Sequence, residues 1–355
     1  MMRFCVSKLN VTNKKVMLRC DFDVPLIQKG NRVLVGDDTR LQLSLKTIRY
    51  LLRKKAKVVI IAHLGRPEGE KVKNLSMQPV FEVFSRAIGN RAQVDFLPNI
   101  LGRKVENKVT SLQSGEIIVL ENLRFDPGEE ENNVGFAKKL ALLADVFVNE
   151  AFAASHRKHA SIVGIPRFLP SAFGFNFIKE VEVLKKVYQH PRRPVVLILG
   201  GKKQNKLKSG QALLSWVDTL LVGGELVETN GITELVGHQK VRADLTKKGE
   251  DITLGSAREF AMIIKKAGTI VWSGPMGAYE DYRYLKGTEE VAKAIIASKA
   301  FSVVGGGDTE AALTKLGLVG KISHICSGGG AMLDFLAQHG TLPGIAAIVK
   351  KSDVQ

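Results

Sequence analysis

Three cysteines in 355 residues, Cys5, Cys20 and Cys326, are too few and too scattered for a disulfide framework. Their odd number, with no Cys-x-x-Cys pair, also argues against a zinc ribbon and fits a reducing, cytoplasmic setting. Aromatic residues make up only 6%, so a base-stacking platform for nucleic acid is not evident. No apolar run approaches the roughly 18 residues of a membrane span. The opening residues, Met1 to Lys8, carry no long apolar stretch of the signal-peptide kind. The Gly-x-x-x-x-Gly-Lys-Ser/Thr loop, the His-Glu-x-x-His helix and the Gly-x-Ser-x-Gly elbow are all missing.

What is present in excess is positive charge, a formal +17. Three readings fit it: nucleic-acid phosphates, a cleft for small anionic substrates, or a lysine-rich solvated surface. The last accounts for most of the excess, since Arg53-Lys54-Lys55, Lys138-Lys139 and Lys247-Lys248 fall on helix-like or loop stretches. At 45% hydrophobic the chain has material for two cores, and at roughly 150 residues per domain its length suggests two domains.

Short β-rich apolar runs alternate with amphipathic helical patterns, the α/β signature of parallel sheets. The pattern predicts strands at 16–18, 58–62, 117–120 and 146–148, then at 195–199, 219–222, 269–272, 301–304 and 324–326. Helices are predicted at 41–54, 79–88 and 136–144. A helical stretch at 176–188, with Ile178, Val181, Leu184 and Val187 on one face, lies between the two halves and is closed by Pro191 and Pro194.

Open parallel sheets bind ligands beyond the carboxyl ends of their strands. In the first half those ends carry Asp21 and Asp23, then His63 and Arg66, then Arg124, then Arg157, with Arg40 at the start of the first helix. Several arginines at successive strand ends suit a small, multiply anionic substrate. In the second half the ends are glycine-rich: Gly200-Gly201, Gly223-Gly224, Gly274-Pro275, Gly305-Gly306-Gly307-Asp308-Thr309 and Ser327-Gly328-Gly329-Gly330. A glycine turn leading into a helix offers unpaired N–H groups to phosphate, and a carboxylate such as Asp308 suits the accompanying Mg²⁺.

From about Arg19 to Ile345 these motifs resemble, in order, those of phosphoglycerate kinases. They comprise Arg19–Pro25, Asp38–Arg40, Ala62–Pro67, Glu121–Phe125, Ala151–Ser161, Gly200–Lys206, Trp272–Glu280, Gly305–Thr309, Ser327–Ala331 and Leu342–Gly344. The resemblance implies two Rossmann-like lobes, with parallel sheets flanked by helices. Residues 1–175 would bind 3-phosphoglycerate or 1,3-bisphosphoglycerate, 176–190 would form a hinge helix, and 191–340 would bind Mg-ADP or Mg-ATP. Residues 341–355 would pack back on the first lobe. It implies a hinge-bending monomer, without membrane or nucleic-acid partner, that transfers an acyl phosphate reversibly to ADP. Arg40 and Lys203 would bracket the moving phosphoryl group. Asp21, Asp23, Arg40, His63, Arg66, Arg124 and Arg157 would hold the substrate. Lys203, Lys206, Glu280, Gly305, Gly306, Gly307, Asp308, Thr309, Ser327, Gly328 and Gly329 would hold the nucleotide, with Asp308 on the metal. For the two aspartates, pairing with arginine is an equal alternative. His156 and His159 read as loop structure, and Trp272 as core.

The chain departs from the family pattern at several points. Asp23 stands where the family has asparagine, placing a like charge before an anionic substrate. Glu150 replaces an aspartate and Ser273 an asparagine. The lysine loop is one residue short, which puts the register of Lys206 in question. Between about 225 and 268 the chain is shortened, with Asp251 and Ser256 resembling the remnant of a longer loop. Two alternatives stay open: a member that binds anions or a partner without turnover, and a nucleic-acid-binding protein. The second predicts a contiguous basic face away from the strand ends.

Overall fold

The computed structural model describes residues 1–30, 32–202, 205–228 and 239–349 of the chain. Two compact units emerge, one formed by Met1–Glu180 with the segment from Leu342 onward, the other by Val181–Thr341.

The first unit contains β1 (Lys15–Arg19), β2 (Leu26–Lys29), β3 (Arg32–Val35), α1 (Thr39–Arg53), β4 (Lys57–Ile61), α2 (Gln78–Ile88) and β5 (Val94–Leu97). It continues with α3 (Arg103–Ser111), β6 (Ile117–Leu120), α4 (Pro127–Glu130), α5 (Val134–Ala141), β7 (Val146–Asn149) and β8 (Ser171–Phe173). Helix α6 (Phe175–Gln189) leads the chain into the second unit. There follow β9 (Val195–Leu199), α7 (Asn205–Leu213), β10 (Thr219–Val222), β11 (Gln239–Arg242), α8 (Leu254–Ile264) and β12 (Thr269–Ser273). Last come α9 (Lys286–Ala297), β13 (Phe301–Gly305), α10 (Gly307–Lys315), β14 (His324–Cys326), α11 (Gly329–Ala337) and α12 (Pro343–Val349), which belongs to the first unit.

Each unit is built on a six-stranded parallel sheet, ordered β5-β6-β4-β1-β7-β8 in the first and β11-β10-β9-β12-β13-β14 in the second. The central strands are buried along their length, as expected where helices cover both faces. Helix α1 buries Leu41, Leu45, Ile48 and Leu51 at helical spacing, and α2 buries Val80, Phe84 and Ile88. Phe84 meets Phe22 with ring centroids 5.5 Å apart, and Trp272 is fully buried in the second core. Among the described residues, no helix is long and apolar enough to cross a membrane.

All nine predicted strands form, with bounds shifted by a residue at most. Strands β5, β8 and β11 and the antiparallel β2–β3 hairpin were not predicted. β5 is only partly buried and β8 has three residues, so neither carries the apolar run that marks a central strand. The order of the first sheet reverses at β1/β7 and that of the second at β9/β12. Loops at those carboxyl ends therefore diverge and leave a crevice.

Glu150 shows how the end of β7 and the start of α6 are tied together. Its buried carboxylate accepts from Thr47 Oγ1 at 2.6 Å and from the Asn176 and Phe177 amides at 3.1 Å each. Those donors favour the ionised form, but burial outweighs them and pushes the carboxyl up to about 7. A carboxyl whose folded value is raised stabilises the fold below its unfolded value near 4.5. That contribution fades as pH rises through about 7 and is of order 3 kcal/mol at most. Denaturant titrations from pH 5 to 8 should show wild-type stability falling with pH and Glu150→Gln following a flatter line. Parallel lines would refute the assignment.

Candidate active site

The chain leaves β1 through Arg19, a fully buried arginine whose partners define the ligand edge of the first sheet. Its Nε donates to Ser161 Oγ at 2.9 Å, its Nη1 to the Cys20 carbonyl at 2.5 Å, and its Nη2 to His63 Nδ1 at 3.1 Å. Ser161 donates in turn to the buried Glu129 carboxylate, from Oγ at 2.6 Å and from its amide at 2.9 Å. Burial raises the Glu129 carboxyl while the Arg19 charge opposes the rise.

A guanidinium can only donate, so Nδ1 of His63 must accept and its proton sits on Nε2. Burial first, then the charges of Arg19, Arg124, Arg40 and Arg157, hold His63 well below the usual imidazole value. The 3.7 Å approach of Nε2 to Asp23 Oδ2 is therefore not an ion pair but a neutral N–H near a carboxylate.

Asp21, Asp23, Arg40, Arg124 and Arg157 act on this pair through contacts or charge. Asp21 is buried, and both its oxygens accept from Arg40 Nη1, at 3.2 and 3.1 Å. That contact is the arginine pairing named as one of its two readings. Asp23 accepts the Gly65 amide at 2.8 Å, so its extra charge is spent in shaping the loop after β4. Arg124 is buried, donates to the Gly65 carbonyl at 2.6 Å and lies 3.1 Å from Glu130 Oε1, too poorly aligned for a hydrogen bond. Burial lowers it to about 10, so it stays cationic at neutral pH. Arg157 is half-buried, and Arg66 is exposed. Asn122 fixes the loop by accepting from the Leu64 amide and donating to the Leu64 and Leu75 carbonyls. His159, read as loop structure, is buried 3.8 Å from Glu129, and burial with the neighbouring cations lowers it to about 3.

In the second unit a cavity opens at the carboxyl ends of β9, β10 and β12, lined by Lys202, Glu225, Glu250, Tyr279, Glu280 and Asp308 among others. Four of those six are carboxylates. Lys202 pairs with Glu225 at 2.6 Å, and burial with the charges of Asp308 and Glu280 pushes the Tyr279 phenol up to about 12. Lys315 donates to the carbonyls of Tyr279 and Glu280, at 3.1 and 2.8 Å, and pins this loop.

The two triple-glycine turns pack on each other. A Cβ on Gly329 would lie 2.7 Å from the Gly305 carbonyl oxygen, so close approach of the two backbones demands glycine there. Gly306 caps α10 at φ 111°, a backbone region hostile to side chains. Thr309 is fully buried, and its Oγ1 accepts from the Gly274 amide at 2.7 Å, so it ties strand ends together rather than facing a ligand. Ser327 is buried as well. Lys206 donates to the Gly200 carbonyl at 3.0 Å and packs against the Gly274 turn. Lys203 lies outside the described residues. Asp251 is buried, accepts from the Ile252 and Gly287 amides, and is raised by burial to about 6, so this remnant anchors the start of α9.

Sequence reasoning gave no role to Arg19, Ser161 and Glu129, and noted Ser273 only as a replacement for asparagine. Ser273 Oγ is fully buried without a hydrogen-bond partner, beside Gly306 and Gly329. A polar atom left so between two helix N-termini fits a phosphate oxygen. The exposed Asp308 carboxylate on the first turn of α10 fits Mg²⁺, which uses one or two carboxylates together with phosphate oxygens.

Two parallel α/β units, one with arginines at its strand ends and one with glycine turns, define a two-unit α/β phosphotransferase. The phosphoglycerate kinase family model matches residues 6–236 and 230–339. The phosphoglycerate kinase of Moorella thermoacetica is 38% identical over 400 positions, covering 99% of this chain and all of that protein. That of Coprothermobacter proteolyticus is 39% identical, covering 97% and 98%. The crystal structure of the Pyrococcus horikoshii enzyme superposes with a TM-score of 0.85 at 31% identity, over 99% of both chains. The chain therefore belongs to the phosphoglycerate kinase family. An alignment of 400 positions against 355 residues also means that the Moorella protein carries segments this chain lacks.

Ser161→Ala removes the Arg19 Nε acceptor and one Glu129 donor at once, leaving two buried charged groups short of partners. A loss of roughly 2–4 kcal/mol in denaturant unfolding is expected, and a change within error of zero would show that the network is dispensable.

Proposed function

We propose that the chain reversibly transfers the acyl phosphate of 1,3-bisphosphoglycerate to ADP, giving 3-phosphoglycerate and ATP. The observation that carries this reading is the cationic edge of the first sheet, where Arg40, Arg124 and Arg157 lie about a neutral His63 and the exposed Arg66 follows on the same loop. Such a set suits a small ligand with two anionic ends and a hydroxyl. The arginines face phosphate and carboxylate, and the His63 Nε2–H donates without adding charge.

In the forward direction a β-phosphate oxygen of ADP attacks phosphorus, and the bond from phosphorus to the acyl oxygen breaks. The leaving group is the carboxylate of 3-phosphoglycerate. Both the attacking and leaving oxygens are ionised near neutral pH, so no general base is required. What the residues must supply is alignment and neutralisation of charge on the transferred group. Arg40, oriented by Asp21, and Lys203 are assigned to that charge. The N-termini of α10 and α11, with Ser273 Oγ, are assigned to the nucleotide phosphates, and Glu280 to the ribose. Asp308 would hold Mg²⁺, which when bound offsets the phosphate charge. The cavity's four carboxylates make that offset necessary for an anionic nucleotide to enter. The same reading takes the working form to be a single chain in a reducing compartment, where its three buried cysteines stay free.

A coupled assay of 1,3-bisphosphoglycerate formation from 3-phosphoglycerate, ATP and Mg²⁺ tests the proposal. Arg40→Ala and Lys203→Ala should each lower turnover by about a hundredfold or more, and Asp308→Ala should weaken binding of Mg-ADP more than binding of metal-free ADP. Wild-type turnover no higher than that of the two cation variants would exclude the enzyme reading.

A further inference from the structure

Lys46, Arg49 and Arg53 of α1 and Arg91, in the turn after α2, line one open cavity of about 570 Å³ on the first unit. Its remaining lining residue is Leu52. None of the four cations is paired with a carboxylate among the described residues. The sequence gives the reason: between Asp38 and Glu68 there is no acidic residue, against eight lysines and arginines. Two of the four are held in place, Lys46 with its ammonium 5.2 Å from the Phe175 ring centroid and Arg91 through a 3.1 Å bond from Nη1 to the Ile88 carbonyl.

The cavity is separate from the ligand edge. Helix α1 starts at that edge with Arg40 and runs back along the sheet, so Arg49 and Arg53 lie about 13 and 20 Å further along its axis. Helix α2 runs the same way and delivers Arg91 to the same end.

The composition of the lining decides what kind of anion fits. Lys46, Arg49 and Arg53 follow one another at helical spacing over about 10 Å, too long for one phosphate. The lining glycines that cradle a mononucleotide are missing. With Leu52 as the only apolar member, the groove also lacks the buried anchor on which a protein interface centres. A row of cations with no paired carboxylate among the described residues matches a polymer of regularly spaced negative charge and reads no sequence.

We propose that this groove is a second anion site, whose occupant is the phosphodiester backbone of a nucleic acid bound without regard to base sequence. It supplies the basic face away from the strand ends that a nucleic-acid partner requires. With four cations engaged, the affinity for a single strand should fall with salt at a log–log slope of about −3.

Fluorescence anisotropy of labelled oligo-dT and of a short duplex, with the full chain and saturating 3-phosphoglycerate, tests this. Binding should persist under the small substrate, and Arg49→Glu/Arg53→Glu should weaken it at least about tenfold and flatten the salt slope by about one unit per charge removed. The variant should keep wild-type kinase turnover. If that variant fails to fold, Arg49→Gln/Arg53→Gln provides the same comparison. Loss of oligonucleotide binding to 3-phosphoglycerate, unchanged binding by the variant, or equal affinity for poly-glutamate of the same length would each overturn the proposal.

Discussion

A guanidinium cut off from water lies beneath the ligand edge of the first sheet, and the local structure is organised around keeping it charged. A buried cation without partners costs several kcal/mol, so Arg19 needs an acceptor for each face of its fork. The Cys20 carbonyl, Ser161 and His63 provide them, and Glu129 supplies the opposing charge through Ser161. These residues come from loops after β1, β4 and β6 and from the segment after β7. One buried charge thus sets the relative positions of four strand ends. It also fixes the His63 tautomer, so the group presented to a ligand is a neutral N–H.

The second unit meets the opposite problem. Its cavity is rich in carboxylates and its strand ends are almost devoid of side chains. Glycines were read in the sequence as room for a ligand, and that is only part of their use. Gly305 and Gly329 are glycine because two turns press against each other, whereas Gly306 is glycine because of its φ. Thr309 follows the same logic: it sits within a ligand-binding motif, yet its hydroxyl serves the neighbouring strand end.

Strands flanked on both sides by helices were legible because parallel sheets bury continuous apolar runs. β5 and β11 were not, since these edge strands carry charged or polar residues and keep only partial burial, and β8 is only three residues long, although the equally short edge strand β14 was read from its apolar run. The ligand edge was legible for the residues that project from strand ends, such as His63 and Arg124. It was illegible for Ser161 and Glu129, which are common residue types whose meaning comes from contacts 142 and 32 positions away in sequence. Asp23 looked like a liability beside an anionic ligand. Its amide partner at Gly65 could not be inferred from spacing, because it depends on how the loop after β4 folds back. The basic run Arg53-Lys54-Lys55, of which Arg53 enters the groove, looked like ordinary solvated surface. Only the packing of α1 beside the end of α2 gathers part of it into one groove.

The first unit is discontinuous: α12 returns to it after the whole second unit has been spelled out, and the Gly344 amide donates to the Ser155 carbonyl at 2.9 Å. A chain made from its amino terminus therefore presents the first sheet to the cell before the last piece of its covering exists. The second unit, continuous in sequence, can close as soon as it emerges. Domains that fold as units during synthesis usually do so in amino-to-carboxyl order. Here the order of completion is inverted, and the unit begun first is finished last.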